Sequence, residues 1–223
     1  MNQERWSAVD DYINGLFAAP DPILSAVIQA AADADMPPIN VAPNQGKLLN
    51  LLALARGAKA ILEIGTLAGY SAIWLARALP FDGRLITLEA DFKHAKVARE
   101  NIARAGLIDR VEVRIGKALD TLPQIATEGH GPFDLIFIDA DKVNSAEYFN
   151  WALKLARRGC LIIIDNVIRD GAVIDPYSAD VNVQGIRRLN ELMAIEPRVT
   201  VTQIQTVGSK GYDGLAIALV IAD

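Results

Sequence analysis

The sequence is poor in the residues that most often carry covalent or redox chemistry: one cysteine and two histidines in 223 residues. Cys160 has no second cysteine with which to form an intrachain disulfide, which suits a reducing compartment. It heads the apolar run Leu161 to Ile164 with no activating cation beside it, so it reads as a packing residue rather than a nucleophile. His94 and His130 lack metal-ligand spacing and read as surface residues, one on a helix face and one in the polar loop Thr127 to Pro132. Positive charge is also short, with 22 Lys and Arg against 27 Asp and Glu and a net charge of -5. No basic stripe is available to neutralise a phosphate backbone or an anionic membrane, which argues against nucleic acid and membrane partners. Apolar runs stay well below the ~20 residues that span a bilayer, and Met1 to Arg5 lacks the basic and apolar regions of a signal peptide. The cytoplasm is the expected location. Repeats and low-complexity tracts are absent.

What is present is an ordinary globular balance, 52% hydrophobic and 22% charged, in a length that favours one domain over residues 1–223. Short apolar runs recur at Ile61 to Ile64, Leu85 to Leu88, Val111 to Ile115, Leu135 to Ile138 and Leu161 to Ile164. Runs of this length suit strands buried on both faces of a parallel sheet. Stretches with helical spacing lie among them at Ser71 to Leu79, Phe92 to Ala105 and Tyr148 to Arg157. The alternation predicts a doubly wound α/β sheet. Ahead of it, residues 1–57 read as three helices, near Arg5 to Ala18, Asp21 to Ala34 and Asn44 to Arg56, punctuated by Pro37, Pro38 and Pro43. They would serve as a lid or an oligomer contact. Beyond the fifth run come a loop from Asn166 to Val181, a helix from Val183 to Ala194, and two strands, Val199 to Gln205 and Gly214 to Val220, joined by a turn at Gly208 to Gly211.

Two strand ends carry chemistry. The first strand runs into Glu63-Ile64-Gly65-Thr66-Leu67-Ala68-Gly69-Tyr70-Ser71 and then directly into a helix. The glycines allow a sharp turn close to a ligand, and the helix start offers unpaired N–H groups. Leu67 stands where a dinucleotide fingerprint has its second glycine, which counts against a pyrophosphate cofactor and a nicotinamide-dependent oxidoreductase. Glu89, 24 residues after Gly65, closes the second strand where a carboxylate can accept from ribose hydroxyls, though a strand-end glutamate can also be a solvated cap. Glu63 adds a second negative charge, so a cationic sulfonium cofactor fits better than a phosphate.

At the other place, the fourth and fifth runs end in Asp139-Ala140-Asp141-Lys142 and Asp165-Asn166. If these strands are neighbours, Asp139, Asp165 and the Asn166 amide oxygen form a hard-oxygen set suited to Mg²⁺. Turn chemistry is the plainer explanation for either motif alone, and Asp141 competes as a ligand. A divalent ion and burial would both disfavour the ammonium form of Lys142 and make it a general base; otherwise it is a helix-start lysine paired with Asp141 or Glu147. A non-catalytic binding protein on the same fold would need no such base.

The run Glu63 to Ser71, the segment Phe137 to Lys142, and Asp165-Asn166-Val167 followed by Gly171 resemble the catechol and caffeoyl-coenzyme A O-methyltransferase family, especially its small bacterial members. The resemblance extends from about Val41 to the C-terminus. It implies a Rossmann-like class I methyltransferase sheet of seven strands with the last antiparallel, and commonly a homodimer. It assigns Val41, Glu63, Gly65, Thr66, Ser71, Glu89, Ala118 and Asp139 to S-adenosylmethionine, with Glu89 on the ribose and Ala118 near the adenine. Asp139, Asp165 and Asn166 would hold Mg²⁺ or another divalent cation such as Mn²⁺ or Ca²⁺, Lys142 with Asp139 would be catalytic, and the acceptor would be a catechol-like or caffeoyl-type phenol. The chain departs from the family at Arg169, where many members have an aromatic residue, and at Cys160, where many have glycine. Arg169 could recognise a carboxylate or phosphate of the acceptor or be an exposed loop arginine.

Overall fold

The computed structural model describes residues 2–18 and 20–222. Three helices open the chain: α1 (Gln3–Phe17), α2 (Pro22–Asp33) and α3 (Pro43–Arg56). Asn2 caps α1 by accepting from the Arg5 N–H, and Asp21 caps α2 by accepting from Ile23 and Leu24. Proline occupies the first position of both α2 and α3, where a missing N–H costs nothing.

The sheet follows as β1 (Ala60–Ile64), β2 (Arg84–Glu89), β3 (Val111–Ile115), β4 (Phe133–Ile138), β5 (Ala156–Asp165), β6 (Val199–Gly208) and β7 (Gly211–Val220). Their spatial order is β3-β2-β1-β4-β5-β7-β6, with β5 to β7 and β6 to β7 antiparallel and the other pairs parallel. The connecting helices are α4 (Tyr70–Ala76), α5 (Phe92–Arg104), α6 (Ala118–Thr127), α7 (Ser145–Leu155) and α8 (Val181–Ile195). This is the expected doubly wound sheet of seven strands with the last antiparallel. No helix among the described residues is long and apolar enough to cross a membrane.

Alternation along the strands fills both faces. Ile61, Leu85, Leu135, Phe137 and Ile163 join one apolar cluster with α2, α3 and α4, while Leu62, Ile64, Ile86, Ile136, Ile138 and Ile162 join another with α7 and α8. Truncating one of these fully buried side chains to alanine would cost about 2–5 kcal/mol.

One buried carboxylate ties the strands together below the site. Asp134 accepts the N–H groups of Lys59 and Ala60 at 2.8 and 3.0 Å, and Arg157 bonds its other oxygen. It thereby joins the beginning of β1 to β4 and β5. Its ionised form is held below the usual carboxylate range: burial works against ionisation, but the two amides and Arg157 outweigh it.

Three expectations need correction. Helix α7 ends at Leu155, not Arg157, because Arg157 already belongs to β5. Helix α4 stops at Ala76, short of Leu79. Helix α6 was not expected; Pro123 inside it interrupts the helical reading, yet Leu122 and Ile125 are fully buried and packing holds the helix.

Candidate active site

The parallel register puts the chemistry-bearing strand ends side by side. Ile64 lies opposite Leu88 on one side and Ile138 on the other, and Ile138 lies opposite Ile164. Glu89, Gly65, Asp139 and Asp165 therefore emerge along one edge, at the carboxyl ends where open α/β sheets bind ligands. The condition set by the sequence, that β4 and β5 be neighbours, is met. A cavity of about 990 Å³ opens along this edge, lined among others by Val41, Gly65, Thr66, Ser71, Glu89, Ala118, Asp139, Lys142, Asn166 and Arg169. Two expected site residues, Glu63 and Asp165, lie behind the lining, 0% and 6% exposed.

The turn after β1 is shaped by contacts the side chains cannot spare. A Cβ on Gly65 would lie 2.1 Å from the Asp139 carbonyl oxygen, and φ there is +102°, so only glycine lets β1 and β4 converge at this point. Leu67 adopts φ +50°, strained for a side-chain-bearing residue. Its N–H donates to Glu89 Oε2 at 2.8 Å, and the Asp91 N–H donates to Oε1 at 2.9 Å. Glu89 is thus an oriented acceptor rather than a solvated cap.

Glu63 is fully buried below the same turn. Thr87 Oγ1 donates to its Oε2 at 2.6 Å, and Thr66 lies 2.5 Å from Thr87. A hydroxyl has one proton, so Thr87 spends its own on Glu63 and Thr66 supplies the second bond. Glu63 Oε1 has no hydrogen-bond partner among the described residues. Burial pushes the Glu63 carboxyl up to about 8; the nearby Ser71 hydroxyl and the bond from Thr87 oppose the rise, and the charges of Asp139 and Glu89 add to it. Glu63 is thus an ordered acid directly behind the cavity wall with one oxygen unpaired.

His94 needs correction as a surface residue. It lines the cavity, with Nδ1 3.8 Å from Glu89 Oε1. His130 is half-buried in an ion network, its Nε2 3.0 Å from Glu128. Helical spacing placed His94 on a face; only tertiary packing turned that face to the cavity.

At the other end, Lys142 is buried and its Nζ donates to Asp139 Oδ1 at 2.9 Å, rather than to Asp141 or Glu147. Asp141 also lines the cavity, where Asn144 Nδ2 donates to its Oδ2 at 2.6 Å and the Tyr148 hydroxyl donates to its Oδ1. Each Asp141 oxygen has one donor, whereas Asp139 is the carboxylate that Lys142 pairs with. Lys142 begins a single 3-10 turn, Lys142–Asn144, against which α8 packs so closely that a Cβ on Gly185 would lie 2.2 Å from the Lys142 carbonyl oxygen.

Asp165 accepts from the Asn166 N–H at 2.8 Å and from Gln45 Nε2 at 2.7 Å. Its carboxyl is pushed up by burial and by the nearby charge of Asp139. Two anions crowded in a dry place are what a divalent cation relieves. Among the described residues no three acidic, histidine or cysteine side chains gather into a metal cluster, so a cation here would rest on Asp139, Asp165 and the Asn166 amide oxygen. That donor set fits a hard cation. Asn166 and Arg169 both hold left-handed backbone, φ +60° and +56°. The Arg169 and Ile168 N–H groups are accepted by Asp213 Oδ1 at 3.0 and 2.9 Å. The Arg169 guanidinium lies 4.0 Å from Asp213 Oδ2.

Comparisons with known proteins point to one family. The family model described as O-methyltransferase matches residues 17–220. A catechol O-methyltransferase of Niastella koreensis is 56% identical over 220 residues, 99% of this chain and 100% of the relative. The crystal structure of an O-methyltransferase from Bacillus cereus in complex with SAH superposes with a TM-score of 0.97 at 58% identity, covering 98% of this chain and 100% of that one. An O-methyltransferase from Streptomyces achromogenes involved in tomaymycin synthesis, in complex with SAM, gives 0.96 at 51% identity, with 100% of both chains covered.

Proposed function

The chain belongs to the O-methyltransferase family, and from that premise we propose that it moves a methyl group from S-adenosylmethionine to a hydroxyl of a catechol-like or caffeoyl-type phenol, with a divalent cation at Asp139, Asp165 and Asn166. The observation that carries the reading is one cavity joining two unlike ends: Glu89 above the buried, half-satisfied Glu63 at one, and Asp139, Asn166 and Lys142 at the other. Relatives solved with SAM or SAH support the cofactor, and the catechol O-methyltransferase of Niastella koreensis supports the acceptor class. The reading replaces a nicotinamide-dependent oxidoreductase and a non-catalytic binding protein. In it, residues 1–223 work as one unit.

The residues divide the work. Glu89 accepts from the ribose hydroxyls, Ala118 borders the adenine, and Glu63 Oε1 with Asp139 faces the methionine end. Val41, Gly65, Thr66 and Ser71 line the path between. A bound Mg²⁺ or similar cation supplies Lewis acidity that makes the acceptor hydroxyl more acidic. Lys142 takes the proton from that hydroxyl as its oxygen forms a bond to the methyl carbon; the sulfur–carbon bond breaks, and its electron pair stays on sulfur. Holding oxygen, carbon and sulfur in line is the larger part of the catalysis, and it falls to the rigid strand ends. A homodimer belongs to the same reading, supported by the exposed apolar side chains Tyr12, Leu16 and Phe17 on α1 and Leu51 and Leu54 on α3.

The deciding experiment is a methyl-transfer assay over catechols, caffeoyl esters and flavonoids, with and without a chelator. Methylation abolished by chelation and restored by Mg²⁺ is expected. Methylation indifferent to chelation would remove the cation from the mechanism, and no methylation of any phenol would remove the acceptor class.

A further inference from the structure

Asp165 is gripped by a residue far away in the chain. Gln45, in the first turn of α3, donates its Nε2 proton to Asp165 Oδ2 at 2.7 Å across 120 positions of sequence. The other carboxylate oxygen accepts the Asn166 N–H at 2.8 Å. Each oxygen thus has one fixed donor and keeps a lone pair free. The plane of the carboxylate is set by the protein alone. Gln45 does not line the cavity, so any effect it has on the site passes through Asp165.

The hold continues outward from Gln45. The Gln45 N–H donates to Asn44 Oδ1 at 2.9 Å, which turns the Asn44 amide so that Nδ2 donates to Asp10 Oδ1 on α1 at 2.8 Å. Asp10 is buried, and its other oxygen accepts the Ser209 N–H at 2.7 Å in the turn between β6 and β7. A Cβ at Gly208 would lie 2.5 Å from that same oxygen, so the turn fits the carboxylate closely. Gln3 at the start of α1 donates to the Gly208 carbonyl at 2.8 Å. Four segments distant in sequence therefore meet in one hydrogen-bonded line that ends on Asp165.

We propose that Gln45 is a positioning residue for Asp165, and that through Asn44 and Asp10 the N-terminal helices and the β6–β7 turn set the geometry of the cation end of the site. The inference rests on the reading of Asp139, Asp165 and Asn166 as that end. It gives residues 1–57 a role beyond a lid or a subunit contact. A bond made only to satisfy a buried acid would leave cation affinity insensitive to Gln45 once folding is intact.

The test is a Mn²⁺ titration of the SAH-saturated protein, followed by the electron paramagnetic resonance signal of free Mn²⁺, for wild type, Gln45→Met and Asn44→Ala. Methionine keeps the length of the side chain and removes the donor. Loss of a partner to a metal ligand costs about 10–100-fold in metal affinity, so Gln45→Met is expected to weaken Mn²⁺ by that much, with SAH affinity unchanged and the bound-Mn²⁺ spectrum altered. Asn44→Ala is expected to weaken Mn²⁺ less, in the same direction. Wild-type Mn²⁺ affinity in a folded Gln45→Met protein overturns the assignment of Gln45 while leaving the cation reading in place. Failure of the wild type to bind Mn²⁺ overturns both together. If Gln45→Met does not fold, Asn44→Ala decides, and unchanged Mn²⁺ affinity there overturns the proposal.

Discussion

The Leu67 N–H donates to Glu89 Oε2 at 2.8 Å, so one carboxylate at the end of β2 holds the strained turn that follows β1. Glu89 therefore both shapes the cofactor end and faces it. Replacing it with alanine removes the proposed ribose acceptor and frees Leu67 from its left-handed conformation, whose strain is of order 1–3 kcal/mol. Glu89→Ala is expected to lower SAH affinity by more than tenfold and to reduce the melting temperature. Isothermal titration with SAH and a thermal melt check both; unchanged SAH affinity would take Glu89 out of the cofactor site.

In the proposed reading, where Glu63 takes the amino group of the cofactor, it makes cofactor binding depend on pH. Its folded-state carboxyl titrates at about 8, against an ordinary value of 4.5, because it is buried. Between those values the unfolded chain has released the proton and the folded chain has kept it, so the stability Glu63 contributes is complete below 4.5 and is lost as pH rises toward 8. An ammonium at Oε1 favours the ionised form and expels the proton. SAH affinity is therefore expected to rise with pH up to about 8 with proton release on binding, readable as a dependence of the binding heat on buffer ionisation enthalpy. Glu63→Gln should abolish that dependence; if it persists unchanged, another group is responsible.

Lys142 is the base in the proposed reading; it is buried beside Asp139, with α8 fixing its backbone through Gly185. A general base contributes about 10²–10⁴ in rate. Lys142→Ala is expected to lower kcat within that range with SAH affinity near normal, and Gly185→Ala to lower kcat by shifting the Lys142 turn. Loss of SAH binding in Lys142→Ala would reassign the residue to the cofactor.

Asp134 governs acid stability from below the site. Its folded-state carboxyl is depressed, since two amides and Arg157 favour the charge. The sign is opposite to that of Glu63: the stability is present above the unfolded carboxylate value and disappears as pH falls through the folded one. Hydrogen bonds to a charged group are worth about 1.5–3 kcal/mol, and Asp134→Asn is expected to cost about that much at pH 7 and less at acid pH, below the ordinary carboxylate value of 3.8, in denaturant unfolding. An equal loss at both pH values would mean that packing, not charge, carries the effect.

Arg169 should bias the choice of acceptor. It lines the cavity near Asn166, and its Nε is buried with no hydrogen-bond partner among the described residues. Arg169→Leu is expected to lower kcat/KM for 3,4-dihydroxybenzoate by tenfold or more, about the 1.5–3 kcal/mol of a charged hydrogen bond, while leaving unsubstituted catechol nearly unaffected. Equal losses on both substrates would make Arg169 a structural partner of Asp213 alone.

Much of this protein was legible from local pattern. Short apolar runs and helical apolar spacing marked the seven strands and most helices, because burial on both faces of a sheet or on one face of a helix selects residue types in those patterns. Glycine at 65 and acids at 63, 89, 139 and 165 were legible at strand ends for the same reason: a sharp turn and a charge next to an apolar run stand out without any partner. What spacing could not reveal was who faces whom. Asp141 and Asp139 differ by two positions, yet Asn144 and Tyr148 claim one and Lys142 the other. His94 reaches the cavity, Arg157 leaves its helix for β5, and Gln45 finds Asp165 across 120 residues. These outcomes depend on strand order and on helices docking over the sheet, and hydrogen bonds between distant segments leave no period in the chain. The sequence determined the elements and the chemical types available at their ends; tertiary packing decided which oxygen meets which donor.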